Sequence, residues 1–297
     1  MKKVEFRSCL AEEMNCFLAS LSSYSYSGYM HIQSALERLD ELLAKSGKTE
    51  KSLSEDDVTL FRESLVGYSN RTVIEKMTAL RKFSRYLHIC SFPTASVFIP
   101  KEKNTYVPHI YSEDEIHRIL EDADNIKERR TNYHPEYMLL PYEYPIALRI
   151  LIFCGTRLGE TLSIRLEDFD EANAVFILRK TKRNKEKIIP MDRSLAGMIS
   201  GYVSFLGLRK KKSEYLFPGK DYSDCLTGHV IAQEFKNTKK RIGLSLTKET
   251  PHSRGICLHC FRHWFAIQSF RKAEKAGRPV NDSIPFLSTY MGHDSLD

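Results

Sequence analysis

The chain has 297 residues, more than one typical domain needs, so two domains are expected. With 42% hydrophobic and 28% charged residues, and no stretch near the ~20 consecutive apolar residues of a membrane span, the composition excludes a membrane-spanning reading. The net charge of +7 is uneven: residues 1–100 carry 13 Lys and Arg against 12 Asp and Glu, so almost all of the excess lies beyond them and fits a polyanionic partner.

The start, "MKKVEFRSCLAEEM", has two lysines but no apolar core of a secretory signal, which points to a cytoplasmic protein. Residues 1–99 are predicted to form a helical bundle. In "YMHIQSALERLDELLAKSG", Ile32, Leu36, Leu39 and Leu43 recur at helical spacing, and Gly47 stops the run. "SLSEDDVTLFRESLVGYS" starts at a capping Ser54 followed by acids. "NRTVIEKMTALRKFSRYLHIC" repeats the pattern with Val73, Met77, Leu80, Phe83 and Leu87, and its other face carries Arg71, Lys76, Arg81, Lys82 and Arg85. That face either lies against phosphate or is simply solvated.

Residues 100–111 read as a linker, in a proline-bearing segment with few periodic apolar positions. Residues 112–297 are expected to form a second domain. "SEDEIHRILEDAD" opens it with a capping box from Ser112 to Glu115. "PIALRILIFCGTRLGETLSIRLEDFD" predicts an apolar helix, a turn at Gly155, then an amphipathic helix. "NAVFILRKTKRNKEKIIPM" predicts two short strands around a basic turn. Residues 226–243 and 259–275 read as helices, and "SIPFLSTYMGHDS" as a short last one. The fold class is therefore mainly α with a small β-sheet or hairpin.

Three basic clusters lie in this half. "RKTKRNKEK" (179–187) holds six cations and one anion, and "LRKKK" and "KNTKKR" add two more. Seven scattered cysteines suggest reduced thiols rather than a disulfide framework. Cys257 and Cys260 form a single CxxC, too few ligands for a zinc site, so no metal is expected. Gly155-Thr156-Arg157-Leu158-Gly159-Glu160 places an arginine at a helix start, where free N–H groups already favour an anion. The alternative is a surface arginine paired with Glu160. "GICLHCFRHWFAIQSF" (255–270) puts His259, Arg262 and His263 within five positions beside the only tryptophan, Trp264. They are either the polar face of an ordinary helix or the wall of an anion pocket.

The order of these pieces resembles the tyrosine recombinases of the phage-integrase family. G-x-R-x-x-E is followed by a hairpin with a lysine in its turn, then H-x-x-R-H, then G-H. The resemblance covers about residues 105–297 as a catalytic domain, and the N-terminal bundle is similar to the family's core-binding domain. It implies that Arg157 and Arg262 hold the scissile phosphate of double-stranded DNA. Lys182 is the hairpin lysine that protonates the leaving 5′ oxygen, and His259 and His293 are the two histidines. His263 and Glu160 support them. Arg179, Lys180, Arg183 and Lys185 flank Lys182, whose proton affinity such neighbours would lower, and are expected on DNA together with the basic face of the bundle.

The family cuts and rejoins DNA through a 3′-phosphotyrosine, without metal or other cofactor, within a tetrameric synapse. Its nucleophile lies roughly nine residues after the second histidine. Asp297 is four residues after His293, so the sequence is expected to stop short of the nucleophile. Tyr290, just before Gly292, reads as a packed aromatic. The expected function is an integrase or transposase of a bacterial mobile element, acting in the cytoplasm on nucleoid DNA. The 297 residues themselves would bind DNA without cutting it. A type IB topoisomerase-like enzyme and a non-cutting DNA-binding regulator or inactive remnant are the alternatives.

Overall fold

The structure is a computed structural model that describes residues 5–22, 24, 26–100, 107–126, 138–178, 186–219, 222, 224–244 and 255–292. The chain divides into two compact units, Met1–Thr105 and Tyr106–Asp297, a division that falls within residues 100–111.

The first unit is a bundle of four helices, α1 (Ala11–Ser20), α2 (Tyr26–Lys45), α3 (Glu55–Glu63) and α4 (Asn70–Ile89). Ile32, Leu36, Leu39 and Leu43 of α2 meet Met77, Leu80, Phe83 and Leu87 of α4 in one core, as their spacing requires. Ser54 caps α3 in a reciprocal box with Asp57, and Ser69 caps α4 by accepting from the Thr72 N–H.

The second unit holds α5 (Glu113–Asp124), α6 (Leu140–Cys154), α7 (Leu158–Leu162), β1 (Phe169–Asp170), β2 (Val175–Leu178), β3 (Lys187–Pro190), α8 (Arg193–Phe205), α9 (Gly228–Arg241), α10 (Cys260–Lys275) and α11 (Val280–Met291). The strands form an antiparallel sheet in the order β1-β2-β3, with Phe176 opposite Ile189 and Leu178 opposite Lys187. α6 is apolar nearly all round and buries most of its residues between Leu140 and Cys154, so it is the central helix on which α5, α8 and α10 pack.

Two local expectations differ. The amphipathic helix expected after Gly155 runs only from Leu158 to Leu162. Beyond Ser163 the backbone leaves the helix to pair elsewhere: the Leu166 N–H donates to the Glu214 carbonyl, and the Leu216 N–H to that of Ile164. Tertiary pairing wins over local propensity there. α8 was not foreseen. Its signal was modest: Asp192, which caps it through the Ser194 N–H, and buried positions at Leu195, Ile199, Tyr202 and Val203.

Glu143, on α6, is fully buried, and neither carboxylate oxygen has a hydrogen-bond partner. Burial pushes its carboxyl up from 4.5 to about 8, so the folded protein carries it protonated at neutral pH. The folded state then holds a proton that the unfolded chain has released, and stability falls as pH rises from about 4.5 through about 8. The slope is about 1.4 kcal/mol per pH unit for one such group. Glu143→Gln is expected to remove this component. In denaturant titrations between pH 5 and pH 8 the variant should gain on the native protein at each step. Parallel pH profiles would contradict the assignment.

Candidate active site

The site is built where the C-terminal ends of two helices meet the start of a third. α6 ends at Gly155 in the left-handed conformation (φ 61°), and α11 ends the same way at Gly292 (φ 63°). Helix ends leave carbonyl groups without partners. Arg262, in the first turn of α10, supplies donors to both. Its Nη1 donates to the Gly155 carbonyl at 2.7 Å, and its Nη2 donates to the Met291 carbonyl. Only 3% of the residue is exposed. Gly155 could not be another residue: a methyl group there would run into the ring of Phe265, and its φ disfavours side chains.

Two residues past this junction, Arg157 leads into α7. Its backbone N–H donates to one Glu160 oxygen at 2.8 Å, and its Nη1 to the other at 2.7 Å. Nη1 also approaches the end of α11, 3.9 Å from where a Cβ on Gly292 would stand. Burial alone would raise the Glu160 carboxyl, but the two bonds from Arg157 and the charges of Lys187 and Arg157 outweigh it and hold the group below its ordinary range. Burial, and then the like charge of Arg157, pull Arg262 down to about 10, so it stays cationic at neutral pH. Arg157 is thus both paired with Glu160 and close to the helix end that Arg262 binds.

His259 sits at the N-cap of α10 and is exposed, and His263 lies one turn on, edge-to-face with it at 5.3 Å between ring centroids. The turn beneath them is pinned from outside the helix. The Tyr111 hydroxyl donates to the Cys257 carbonyl, Tyr111 stacks on Phe261, and Lys239 Nζ donates to the Ile256 carbonyl at 2.6 Å. Trp264 is partly buried and meets Phe153 edge-to-face. The Cys257 and Cys260 sulfurs lie 3.6 Å apart.

Lys182, His293, Arg179, Lys180, Arg183 and Lys185 lie outside the described residues. On α4, Arg81 and Arg85 are exposed one turn apart, while Lys82 lies over the Tyr24 ring. Arg71 pairs with Glu75, and Lys76 spends its ammonium on the Ser34 carbonyl and hydroxyl. In the cluster at 236–241, Arg241 is bidentate to Asp122 and also bonded to the buried Glu234, so it ties α9 to α5. Tyr290 donates its hydroxyl to the Cys154 carbonyl at 2.8 Å, and its ring stacks on Phe265.

Sequence reasoning missed Lys187, whose Nζ is buried beside Arg157, Glu160 and Arg262. The signal was in β3. Period-2 alternation places Lys187 on the same side as the fully buried Ile189 and leaves Ile188 63% exposed, an inversion of the usual polarity.

Arg262→Ala removes two buried, charge-assisted hydrogen bonds and is expected to lower unfolding free energy by on the order of 3 kcal/mol. Arg157→Ala, at a partly exposed pair, should stay within about 1 kcal/mol of the native value. Urea titrations of the two variants measure the contrast. Equal stability losses would show that Arg262 does not bind the helix ends together.

Residues 110–295 match the Phage integrase family. The chain is 29% identical over 224 residues to a putative integrase/recombinase, y4rB, of Sinorhizobium fredii, covering 72% of this chain and 68% of that protein. It is 27% identical over 232 residues to the tyrosine recombinase XerA of Pyrococcus horikoshii, covering 77% and 68%. Among solved structures, the XerH site-specific recombinase bound to palindromic difH substrate superposes with a TM-score of 0.68 at 17% identity, over 95% of this chain and 78% of that one. The Tn1549 transposon integrase in complex with circular intermediate DNA gives 0.66 at 15%, over 97% and 93%. At those identities the structural likeness establishes the fold, and the sequence match over most of the chain establishes the family. The chain belongs to the phage integrase family, the tyrosine recombinases.

Proposed function

We propose that this protein serves a mobile element as an integrase or transposase, cutting and rejoining double-stranded DNA through a 3′-phosphotyrosine. Arg157 and Arg262 grip the scissile phosphate. Lys182 gives a proton to the leaving 5′ oxygen, His259 and His293 complete the set, and Glu160 and His263 support it. The observation that carries this reading is the gathering of two guanidinium groups at one junction of helix ends, where the charge of Arg157 adds to burial in lowering the proton affinity of Arg262. Evolution of a stable fold alone gives no reason to place like charges together in a partly dry site. An incoming phosphodiester supplies one.

Attack on a phosphodiester builds negative charge on its non-bridging oxygens, and fixed cationic donors stabilise that charge as it forms, each commonly by ~3–4 kcal/mol. Arg262 uses Nη1 and Nη2 once each on carbonyls, which leaves further N–H donors of the fork for a ligand. In this reading Arg81, Arg85, Lys82 and Arg71 of α4 contact the DNA backbone, as do Arg179, Lys180, Arg183 and Lys185 of the hairpin. A tetrameric synapse follows from the family resemblance.

Residues 1–297 by themselves bind DNA and form no covalent adduct in this reading. The tied hydroxyl of Tyr290 supports that. Buried, it is pushed well above its ordinary value and already donates to a carbonyl, the opposite of an activated nucleophile.

Two measurements test the proposal. Affinity for a duplex should fall at least tenfold between ~50 and ~200 mM salt. A flat response would count against DNA as the partner. On a denaturing gel with a labelled nicked duplex, residues 1–297 should give no covalent band. A chimera in which a family member's tyrosine-bearing segment follows Asp297 should give one, and Arg157→Ala in that chimera should reduce it by about 10²–10³-fold. A band from residues 1–297 would make Tyr290 the first tyrosine to mutate.

A further inference from the structure

Lys187 has no role in the motifs that the family resemblance supplies. It opens β3 opposite Leu178, so the strand ladder fixes its position. Its side chain points inward beside Ile189, while the apolar Ile188 faces solvent. Its Nζ is buried and has no hydrogen-bond partner among the described residues.

A lysine ammonium has three donors and no acceptor, so an unpartnered one under cover carries a desolvation cost that nothing in its surroundings repays. The groups around it do not neutralise it. Arg157 and Arg262 repel it, and Glu160 attracts it, but Glu160 already accepts two hydrogen bonds from Arg157. A further neighbour is a platform. The Tyr290 ring lies 4.6 Å from Nζ, held by the hydroxyl bond to Cys154 and by stacking on Phe265. A cation over a fixed aromatic face is aimed, and the face offers no acceptor oxygen.

We infer that Lys187 is a third phosphate-binding cation of the site, donating to a non-bridging oxygen of the same phosphodiester that Arg157 and Arg262 hold, with Tyr290 as its positioning residue. The inference rests on the proposed phosphate site. It also explains a charge balance. Arg157, Arg262 and Lys187 against Glu160 leave a net of two positive charges. A phosphodiester carries one negative charge, and the five-coordinate state formed on attack carries two. The cluster therefore matches the transition state better than the ground state, which is the condition for faster chemistry. Burial, first, and then the charges of Arg262 and Arg157 lower the proton affinity of Lys187, with Glu160 opposing them. A bound phosphate would reverse that.

The test uses residues 1–297 and a DNA duplex of the protein's own target or of generic sequence. Lys187→Met keeps the length of the side chain and removes the buried charge. A structural lysine would destabilise the fold when lost. A ligand-binding one, uncompensated in the free protein, should leave the melting temperature equal or higher while DNA affinity falls about tenfold and the slope of log affinity against log salt drops by about 1. Lys187→Arg should restore most of the affinity. Arg157→Ala, measured alongside, separates the two claims. If Arg157→Ala weakens binding and Lys187→Met does not, the role of Lys187 is overturned and the arginine site stands. If neither changes binding, the phosphate site itself is lost and the inference falls with it. A lower melting temperature with unchanged binding would assign Lys187 to the fold alone.

Discussion

The two bonds that Arg262 makes to the ends of α6 and α11 organise everything near the site. A helix C-terminus presents carbonyl oxygens that must find donors, and the dipole there is negative. Two such ends converge on one guanidinium in the second unit. Both helices end in a left-handed glycine, Gly155 and Gly292. The first leads at once to Arg157 and Glu160. A single buried cation thus ties the end of α11 to the turn from which Arg157 begins its helix. The same geometry explains why an arginine is needed. A lysine has one nitrogen, and the rigid fork can reach two carbonyls and still present N–H groups elsewhere.

That arrangement has a cost for the free protein. Arg157, Arg262 and Lys187 repel one another in a partly buried volume that contains one carboxylate, and Glu160 is committed to Arg157. The helix carbonyls absorb part of the charge on Arg262, and the aromatic face of Tyr290 part of that on Lys187. What remains is an electrostatic deficit that, in the proposed reading, a phosphate fills. Such preorganised charge is effective because the groups need not reorganise as the reaction proceeds. The scaffold around it is correspondingly firm: the apolar α6 beneath, Tyr111 and Lys239 pinning the turn before α10, and the Arg241 ion pairs joining α9 to α5.

Much of this was legible in the sequence, and the reasons differ by element. α2 and α4 carried strong apolar periodicity, and α3 and α5 carried capping residues, so local and tertiary preferences agreed. The hairpin was legible from β-branched and aromatic residues around a charged turn. The position of Arg157 and Arg262 at one junction was legible only through the order of the motifs, because nothing local says that residues 157 and 262 meet. The short α7 was misread because its continuation pairs with residues near 215, a partner that no local window contains. Lys187 was hidden inside a run of six cations, where a solvated charge is the ordinary reading. Only the strand register separates it from its neighbours. The structural duty of Arg262 was invisible for the same reason: carbonyl groups at helix ends carry no sequence signature.

The central claim is that Arg157 and Arg262 meet the negative charge of one phosphate. It is tested most directly by removing that charge from the DNA instead of removing the arginines. A duplex with a methylphosphonate at the cleaved position lacks one anionic oxygen. In the tyrosine-bearing chimera, the rate defect of Arg157→Ala measured on an ordinary phosphodiester should shrink to within about tenfold of the unaltered chimera on the neutral linkage, since the charge the arginine serves is gone. An equally large defect on both linkages would mean that Arg157 acts away from the scissile phosphate, and would contradict the account.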